Sequence, residues 1–176
     1  MKTPEQKHAE WVRGAIRTYE GRLVRYATQI TADADRARDV VQETFIRLCD
    51  QNPEQLDSHL AEWLFTVCRH RALDLLKKEG RLTPLDEVEM NTHASMEPTP
   101  AAQAQRREEL GRAAHWMAGL PENQREVMRL KFQHGLSYKE ISHVTNLTIS
   151  NVGVLIHTAI RTLRERMRQE EGASRT

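Results

Sequence analysis

Histidine and cysteine are the side chains best suited to metal binding or nucleophilic catalysis, and this chain has eight histidines and two cysteines. Their spacing supports neither chemistry, because the histidines are scattered and Cys49 and Cys68 lie too far apart for a metal knuckle. The chain also lacks a glycine-rich loop of the kind that holds phosphate groups. These observations argue against an enzyme, and they predict that the protein uses no metal and no other cofactor.

A polar face along the second predicted helix, from about Asp33 to Cys49, has a spacing suited to binding. The residues that share this face, at positions i, i+3, i+4 and i+7, are Asp39, Gln42, Glu43 and Ile46. The opposite stripe, which we expect to face the core, consists of Val41, Phe45 and Leu48. An acidic face with an isoleucine among its polar residues is suited to docking on a partner, although such a face is more often simply solvated.

Basic residues cluster near the end of a third predicted helix, which we expect to be capped by Asp57 or Ser58 and to end at Gly80. The cluster consists of Arg69, His70, Arg71, Lys77, Lys78 and Arg81. Such a cluster can bind the phosphates of a nucleic acid. For Lys77 and Lys78 the alternative is a solvated helix end, where the helix dipole favours positive charge.

The C-terminal part of the chain has the pattern of two short helices joined by a tight turn. Ser137 and Glu140 form a capping box, Thr145–Leu147 is a turn, and Thr148 can cap the following helix. Asn146 occupies a turn position where glycine is common, and asparagine tolerates positive φ. The apolar residues spaced to pack two helices at a steep angle are Ile141, Val144, Leu147, Val152 and Ile156. This layout predicts a helix-turn-helix motif that reads a major groove, with an ordinary helical hairpin as the alternative.

Helices and one tether account for the remaining residues. Thr3, Pro4 and Gln6 form a helix start. The apolar residues that follow in steps of three and four are Trp11, Ala15, Tyr19, Leu23, Tyr26 and Ile30. Residues 83–105 hold three prolines, four acidic residues and no basic residue, which predicts a flexible acidic linker. The predicted fold is therefore all-α, with two small helical domains, 1–82 and 106–176, and the helix-turn-helix in the second.

Charge and hydropathy limit the class of protein further. Residues 106–176 carry 12 basic and eight acidic residues, a mildly positive balance that permits DNA binding without proving it. No run of about 18 apolar residues occurs, and the polar start of the chain has no signal segment. We therefore expect a cytoplasmic protein that does not insert into a membrane.

Three segments, in order along the chain, resemble one family. The run Asp39–Leu48 resembles the core-binding helix of the extracytoplasmic-function (ECF) sigma factors of bacterial RNA polymerase. Glu62–Asp74 resembles the helix of that family that melts the promoter and reads its −10 element. Leu120–Met128 together with Leu136–Ile141 resembles the domain that reads the −35 element. The resemblance implies a protein that binds core RNA polymerase and directs promoter recognition, DNA melting and transcription initiation.

The resemblance also implies roles for residues of domain 1–82. The residues expected to bind core polymerase are Asp39, Gln42, Glu43, Ile46 and Arg47. Those expected at the −10 element and the single strand are Asn52, Trp63, Arg69, His70, Arg71, Asp74, Lys77 and Lys78. Asn52 lies in the loop Asp50–Ser58, where the family captures a flipped base, while Trp63 is alternatively a core anchor. His70 stands where the family usually has asparagine.

In domain 106–176 the resemblance implies −35 recognition by a helix that departs from the family pattern. Members often carry lysine or arginine in its first two turns, whereas this chain has none there. The residues expected at −35 DNA are Lys139, Thr148, Ser150, Asn151, His157 and Arg161. Gly153 would allow close approach of DNA or of a packed partner. Val154 and Leu155 offer the alternative of an apolar surface for a partner protein.

The expected partners are core RNA polymerase, promoter DNA and an anti-sigma protein that holds the factor inactive. Two other functions remain open on the sequence alone. One is a helix-turn-helix regulator that binds duplex DNA without polymerase. The other is a helical adaptor that binds a protein and does not touch DNA.

Overall fold

The all-α prediction is confirmed by the structure, a computed structural model that describes residues 3–80 and 115–173. The main α-helices, in chain order, are α1 (Pro4–Thr31), α2 (Ala34–Cys49), α3 (Pro53–Leu56), α4 (Leu60–Lys78), α5 (Glu122–Phe132), α6 (Tyr138–Thr145) and α7 (Ile149–Ala173). A 3-10 helix, Asp57–His59, links α3 to α4. The predicted linker 83–105 lies outside the described residues.

Helix α1 begins as its sequence predicts. Thr3 accepts a hydrogen bond from the backbone of Gln6 at 3.2 Å, and the Gln6 side chain accepts one from the backbone of Thr3 at 2.9 Å. This reciprocal pair satisfies two amides at the helix start, and Pro4 has no N–H group that would need an acceptor there. The helix ends where Ala32 adopts the left-handed conformation, with φ of 55°.

Helices α1, α2 and α4 pack around the core of the N-terminal half. Val41, Phe45 and Leu48 are buried as predicted, and Asp33 caps α2 through its carboxylate. The other large side chains of this half that are almost completely buried are Leu23, Tyr26, Leu64 and Phe65. Burial of an apolar side chain of this size contributes about 1.5–3 kcal/mol.

The predicted cap of the third helix is wrong. Neither Asp57 nor Ser58 caps α4, because both lie in the 3-10 helix that precedes it, and His59 at the cap position makes no side-chain capping bond. The Asp57 carboxylate instead accepts a hydrogen bond from the Trp11 indole on α1 at 3.1 Å. Asn52 caps the short helix α3, so this segment is partly helical rather than a plain loop.

The helix-turn-helix prediction matches the backbone of the C-terminal half. Ser137 and Glu140 form the capping box of α6, and Thr148 accepts a hydrogen bond from the Asn151 amide at the start of α7. Asn146 lies between the helices with φ of 60°. Of the apolar residues predicted to join the helices, Ile141, Val144, Val152 and Ile156 are buried in the core with Leu120, Val127, Leu130 and Leu136, whereas Leu147 is partly buried and packs against it.

The two halves contact each other along α4, which packs against α6. At the centre of the contact, Glu126 on α5 accepts hydrogen bonds from Arg69 at 2.8 Å and from the Tyr26 hydroxyl at 2.7 Å. The His134 ring lies against Phe65, with 4.7 Å between the ring centroids. Burial raises the pKa of Tyr26 well above its usual value, with a smaller contribution from the Glu126 carboxylate. The hydroxyl therefore stays protonated and donates.

His134 is buried in this contact as a neutral ring. Neither ring nitrogen has a hydrogen-bond partner within the described residues. Burial lowers the pKa of His134 to about 4, and the nearby Arg22, Arg25 and Arg129 act in the same direction. A histidine of lowered pKa stabilises the folded state above its unfolded pKa of about 6.5, and this stability is lost as pH falls towards 4.

We predict that His134→Phe makes the protein more stable and less sensitive to acid. Phenylalanine keeps the ring contact, removes two unsatisfied polar atoms and cannot take up a proton. The free energy of unfolding of the variant should exceed that of the wild type, and the difference should grow by about 1 kcal/mol between pH 7.5 and pH 5.5. Urea unfolding at both pH values measures this difference.

The free energies of unfolding of the wild type and of His134→Phe must be compared with each other, because Glu122 makes each of them depend on pH as well. Burial raises its pKa to about 7 against the opposing effect of Arg129 and Arg125, so its contribution is lost as pH rises through 7. This opposite dependence is common to both proteins and cancels in the difference. A difference that stays constant with pH would contradict the assignment to His134.

We also predict that the turn tolerates glycine at position 146 but not a β-branched residue. Asn146→Val should lower the free energy of unfolding by about 1–2 kcal/mol, because φ of 60° is strained for valine. Asn146→Gly, the matched control, should change the free energy of unfolding by only a few tenths of the valine effect. Urea unfolding of both variants checks the prediction, and equal effects of valine and glycine would contradict it.

Candidate functional site

Helix α2 presents its predicted polar face to solvent. Asp39, Gln42, Ile46 and Arg47 are exposed, and Glu43 is half-buried. The Ile46 side chain is 58 % exposed, on a helix whose opposite stripe is buried. The face therefore combines one apolar contact point with polar and charged side chains, as a docking surface requires.

Glu43 has a role that its place on this face does not reveal. Its carboxylate forms ion pairs with Arg71 on α4 and, at 4.0 Å, with Arg47 one turn further along α2. Arg71 also lies 3.7 Å from the carboxylate of Asp74. Residues that the sequence assigned to two separate surfaces, polymerase binding and the −10 element, are thus joined by one ion-pair network.

The residues predicted at the −10 element form no single surface. His70, Asp74, Lys77 and Lys78 are exposed along α4. Trp63 is half-buried and packs against the hydrophobic core, in agreement with the core-anchor alternative. Asn52 is exposed, and its side-chain oxygen accepts a hydrogen bond from the Glu54 amide at 3.0 Å. Asn52 therefore holds the start of α3, away from the basic end of α4.

Arg69 is the predicted DNA residue whose position differs most from expectation. It faces the C-terminal half, where Glu126 pairs with both its Nε and Nη2. A cleft of about 690 Å³ opens beside this pair. Its walls are formed by the basic part of α4, including His70 and Lys77, and by the turn of the helix-turn-helix, including Asn146 and Leu147.

All the residues predicted at −35 DNA are solvent-exposed. They are Lys139 on α6, Thr148 at the cap of α7, and Ser150, Asn151, His157 and Arg161 on α7. Thr148 is also engaged in capping. Val154 is 62 % exposed, whereas Leu155 packs against the core, so the apolar alternative is limited to Val154. A side chain at Gly153 would meet the Tyr138 ring at an ordinary 3.8 Å, so internal crowding does not require this glycine.

The sequence did not identify three residues that join the halves, namely Tyr26, Glu126 and His134. Tyr26 was counted as one of the apolar positions of α1, and Glu126 was only part of a motif. Glu126 lies 57 residues from Arg69 and 100 from Tyr26. Local spacing carries no signal for partners at such separations.

Two further classes of site were sought in the part of the chain that the structure describes. Within it, no group of three or more His, Cys, Asp or Glu side chains is arranged to hold a metal ion. None of its helices combines the length and apolarity that a membrane span requires.

Both halves of the chain match known protein families. Residues 15–82 match the family model for Sigma-70 region 2, and residues 112–169 match the model for Sigma-70, region 4. The solved structure of CnrH in complex with the cytosolic domain of CnrY superposes with a TM-score of 0.58. That match covers 90 % of this chain and 88 % of that one at 22 % identity, which supports a shared fold.

Curated relatives extend the likeness to most of the length of known proteins. The ECF RNA polymerase sigma factor SigL of Mycobacterium tuberculosis is 32 % identical over 158 residues, which is 87 % of this chain and 86 % of that protein. The ECF RNA polymerase sigma factor SigM of Bacillus subtilis is 29 % identical over 83 % of this chain and 88 % of that protein. The chain therefore belongs to the ECF family of RNA polymerase sigma factors, and it directs promoter recognition and transcription initiation.

Proposed function

We propose that this sigma factor binds core RNA polymerase through the exposed face of α2. The observation that carries this proposal is Ile46, which is exposed beside Asp39 and Gln42 on a helix whose other face is buried. An apolar side chain at the centre supports affinity, while the charges around it steer and orient docking on a basic partner surface. Glu43 acts partly as a positioning residue, because it also holds Arg71 on α4.

The basic part of α4 is proposed to hold the melted strand at the −10 element. His70, Lys77 and Lys78 are exposed there and suit contacts to phosphates. Extruding a base from the stack costs a few kcal/mol, which contacts to the flipped base must recover. Asn52, which is exposed in the 50–58 segment, is proposed for such a contact, and His70 for the base preference.

The first turns of α7 are proposed to read the −35 element. Asn151 is exposed there, and its amide can donate to and accept from adenine in the major groove. Arg161, three turns further along the same helix, suits a phosphate contact. Specificity at −35 would then depend on few direct base contacts, because Thr148 is engaged in capping.

The chain itself is proposed to carry out no catalysis, and it acts with polymerase in the cytoplasm. The bond-forming chemistry of transcription belongs to core polymerase, which would recruit this chain for promoter choice. CnrH has been solved in complex with the cytosolic domain of CnrY. By analogy, we propose that an anti-sigma protein regulates this chain by covering the α2 face.

Run-off transcription separates this function from the two alternatives. Specific transcripts that require both core polymerase and this chain support the sigma function. A footprint by the free chain without such transcripts would favour a regulator that acts alone. If the chain gives neither transcripts nor a footprint but captures a partner protein, the adaptor function would be favoured.

We predict that Ile46→Asp weakens binding to core polymerase at least ten-fold, about 1.4 kcal/mol, because it removes the apolar contact and adds a charge there. Met167→Asp on α7 is the matched control, since Met167 is also an exposed apolar side chain, 39 % exposed. Fluorescence anisotropy with labelled chains measures both affinities. Equal affinities of the two variants would exclude this face as the docking surface.

We predict different consequences for two substitutions on α7. Asn151→Ala should remove preference for one base pair of the −35 element, worth about 1–3 kcal/mol. Arg161→Ala should weaken binding to all sequences alike and reduce its salt dependence. Holoenzyme binding to promoters mutated at each −35 position, at two salt concentrations, measures both. An unchanged base preference in Asn151→Ala would argue against base reading by this residue.

A further inference from the structure

One apolar side chain lies at the centre of the face of α7 that is proposed to read the −35 element. Val154 is 62 % exposed, whereas Val152, Ile156 and Ala159 on the same helix are buried. Successive residues of an α-helix are turned by about 100°, so Val154 points almost directly away from this buried stripe. Its side chain therefore faces solvent and contributes little to the packing of the fold.

The neighbours of Val154 on this side of the helix are the residues proposed to contact DNA. Ser150, His157 and Arg161 lie four positions before it and three and seven positions after it, and all of them are exposed. From Ile149 to Arg164 the sequence has no acidic residue that would repel phosphates. If α7 lies in a major groove with this face towards the bases, Val154 meets the base edges.

The base edges of the major groove offer one apolar group to such a side chain. Adenine, guanine and cytosine present hydrogen-bond donors and acceptors there, whereas thymine adds a methyl group at C5. Valine cannot donate or accept, so packing it against a polar edge would leave polar groups of the base without partners. A C5-methyl group is therefore the part of the groove that complements Val154.

A protein partner on this face is less well supported by the surroundings of Val154. The nearest exposed aliphatic side chain on the helix, Ile149, lies about 140° around the helix axis from it. The exposed ring of Tyr138 on α6 has the Lys131 ammonium 5.4 Å from its centroid, which makes that side cationic. One valine among polar neighbours is much smaller than the apolar centre of a stable protein interface.

We propose that Val154 reads the C5-methyl group of a pyrimidine in the −35 element, a group that thymine and 5-methylcytosine both carry. Val154 lies about one helical turn beyond Asn151, and successive base pairs are about 3.4 Å apart. The methylated base should therefore lie within about two base pairs of the pair that Asn151 reads. This inference rests on the proposed function, and it adds a determinant of specificity that makes no hydrogen bond.

Replacement of thymine by uracil tests the contact, because uracil forms the same base pair and lacks only the methyl group. Core polymerase with this chain is bound to promoter duplexes that carry thymine at each −35 position in turn, on either strand, and to matched duplexes with uracil. At one or two adjacent positions the wild type should bind thymine about three- to four-fold more tightly than uracil. Val154→Ala should bring this ratio close to one, and it should fold normally because alanine favours helix.

Two further variants show whether the ratio reports on the side chain at position 154. Arg161→Ala, the matched control on the same face, should weaken binding to both duplexes and keep the ratio, because a phosphate contact does not distinguish bases. Val154→Thr retains one of the two methyl groups and should keep part of the ratio. Equal binding of thymine and uracil by the wild type at every position, or an unchanged ratio in Val154→Ala, would overturn the proposal.

Methylation of cytosine tests the contact in the opposite direction, by adding the group instead of removing it. At the position identified with uracil, the wild type should bind 5-methylcytosine about three-fold more tightly than cytosine, and Val154→Ala should not. A preference confined to thymine would support a contact with that base alone. A gain of the same size in Val154→Ala would show that the methyl group acts through the DNA, and it would count against Val154.

The same measurements separate this inference from the proposed function. If the wild-type holoenzyme binds all −35 sequences equally, base reading by α7 is wrong, and the methyl contact fails with it. If it prefers particular base pairs but binds thymine and uracil equally, −35 reading stands and the methyl contact is rejected. In that second case the exposed valine would be assigned to a protein partner instead.

Discussion

The carboxylate of Glu126 is the group on which the arrangement of the two halves depends. It accepts hydrogen bonds from Arg69 and Tyr26, which come from different helices of the other half. Removing one partner of a buried ion pair is strongly destabilising, by about 3–5 kcal/mol, because it leaves an uncompensated buried charge. A small displacement of the halves would therefore be unfavourable, because it would leave these groups buried without their partners.

An ion pair also connects the two proposed surfaces within the N-terminal half. Glu43 belongs to the face of α2 but binds Arg71 of α4, so its charge is shared between docking and internal structure. A partner that competes for the Glu43 carboxylate would release Arg71 and change the charge presented along α4. The two proposed surfaces therefore share one ion pair.

Sequence reasoning was accurate where the determining interactions are local. The caps at Thr3, Ser137 and Thr148 and the left-handed turn at Asn146 each depend on residues within three or four positions. It failed where a side chain chooses a distant partner. Asp57 resembles a cap by position, yet it binds Trp11, 46 residues away. The roles of the individual surface residues remain predictions, because exposure and charge locate a surface without identifying what binds to it.

The attachment of α1 to the 50–58 segment has a consequence for exchanging parts between relatives. His8 hydrogen-bonds the carbonyl of Cys49 at 2.9 Å, and the Trp11 indole binds Asp57, so α1 holds this segment near both its ends. The shape of the segment is therefore encoded in two places along the chain. A chimera that exchanges residues 50–58 alone would lose the hydrogen bonds from His8 and Trp11. To keep the shape of the segment, the exchange must include the first three turns of α1 as well.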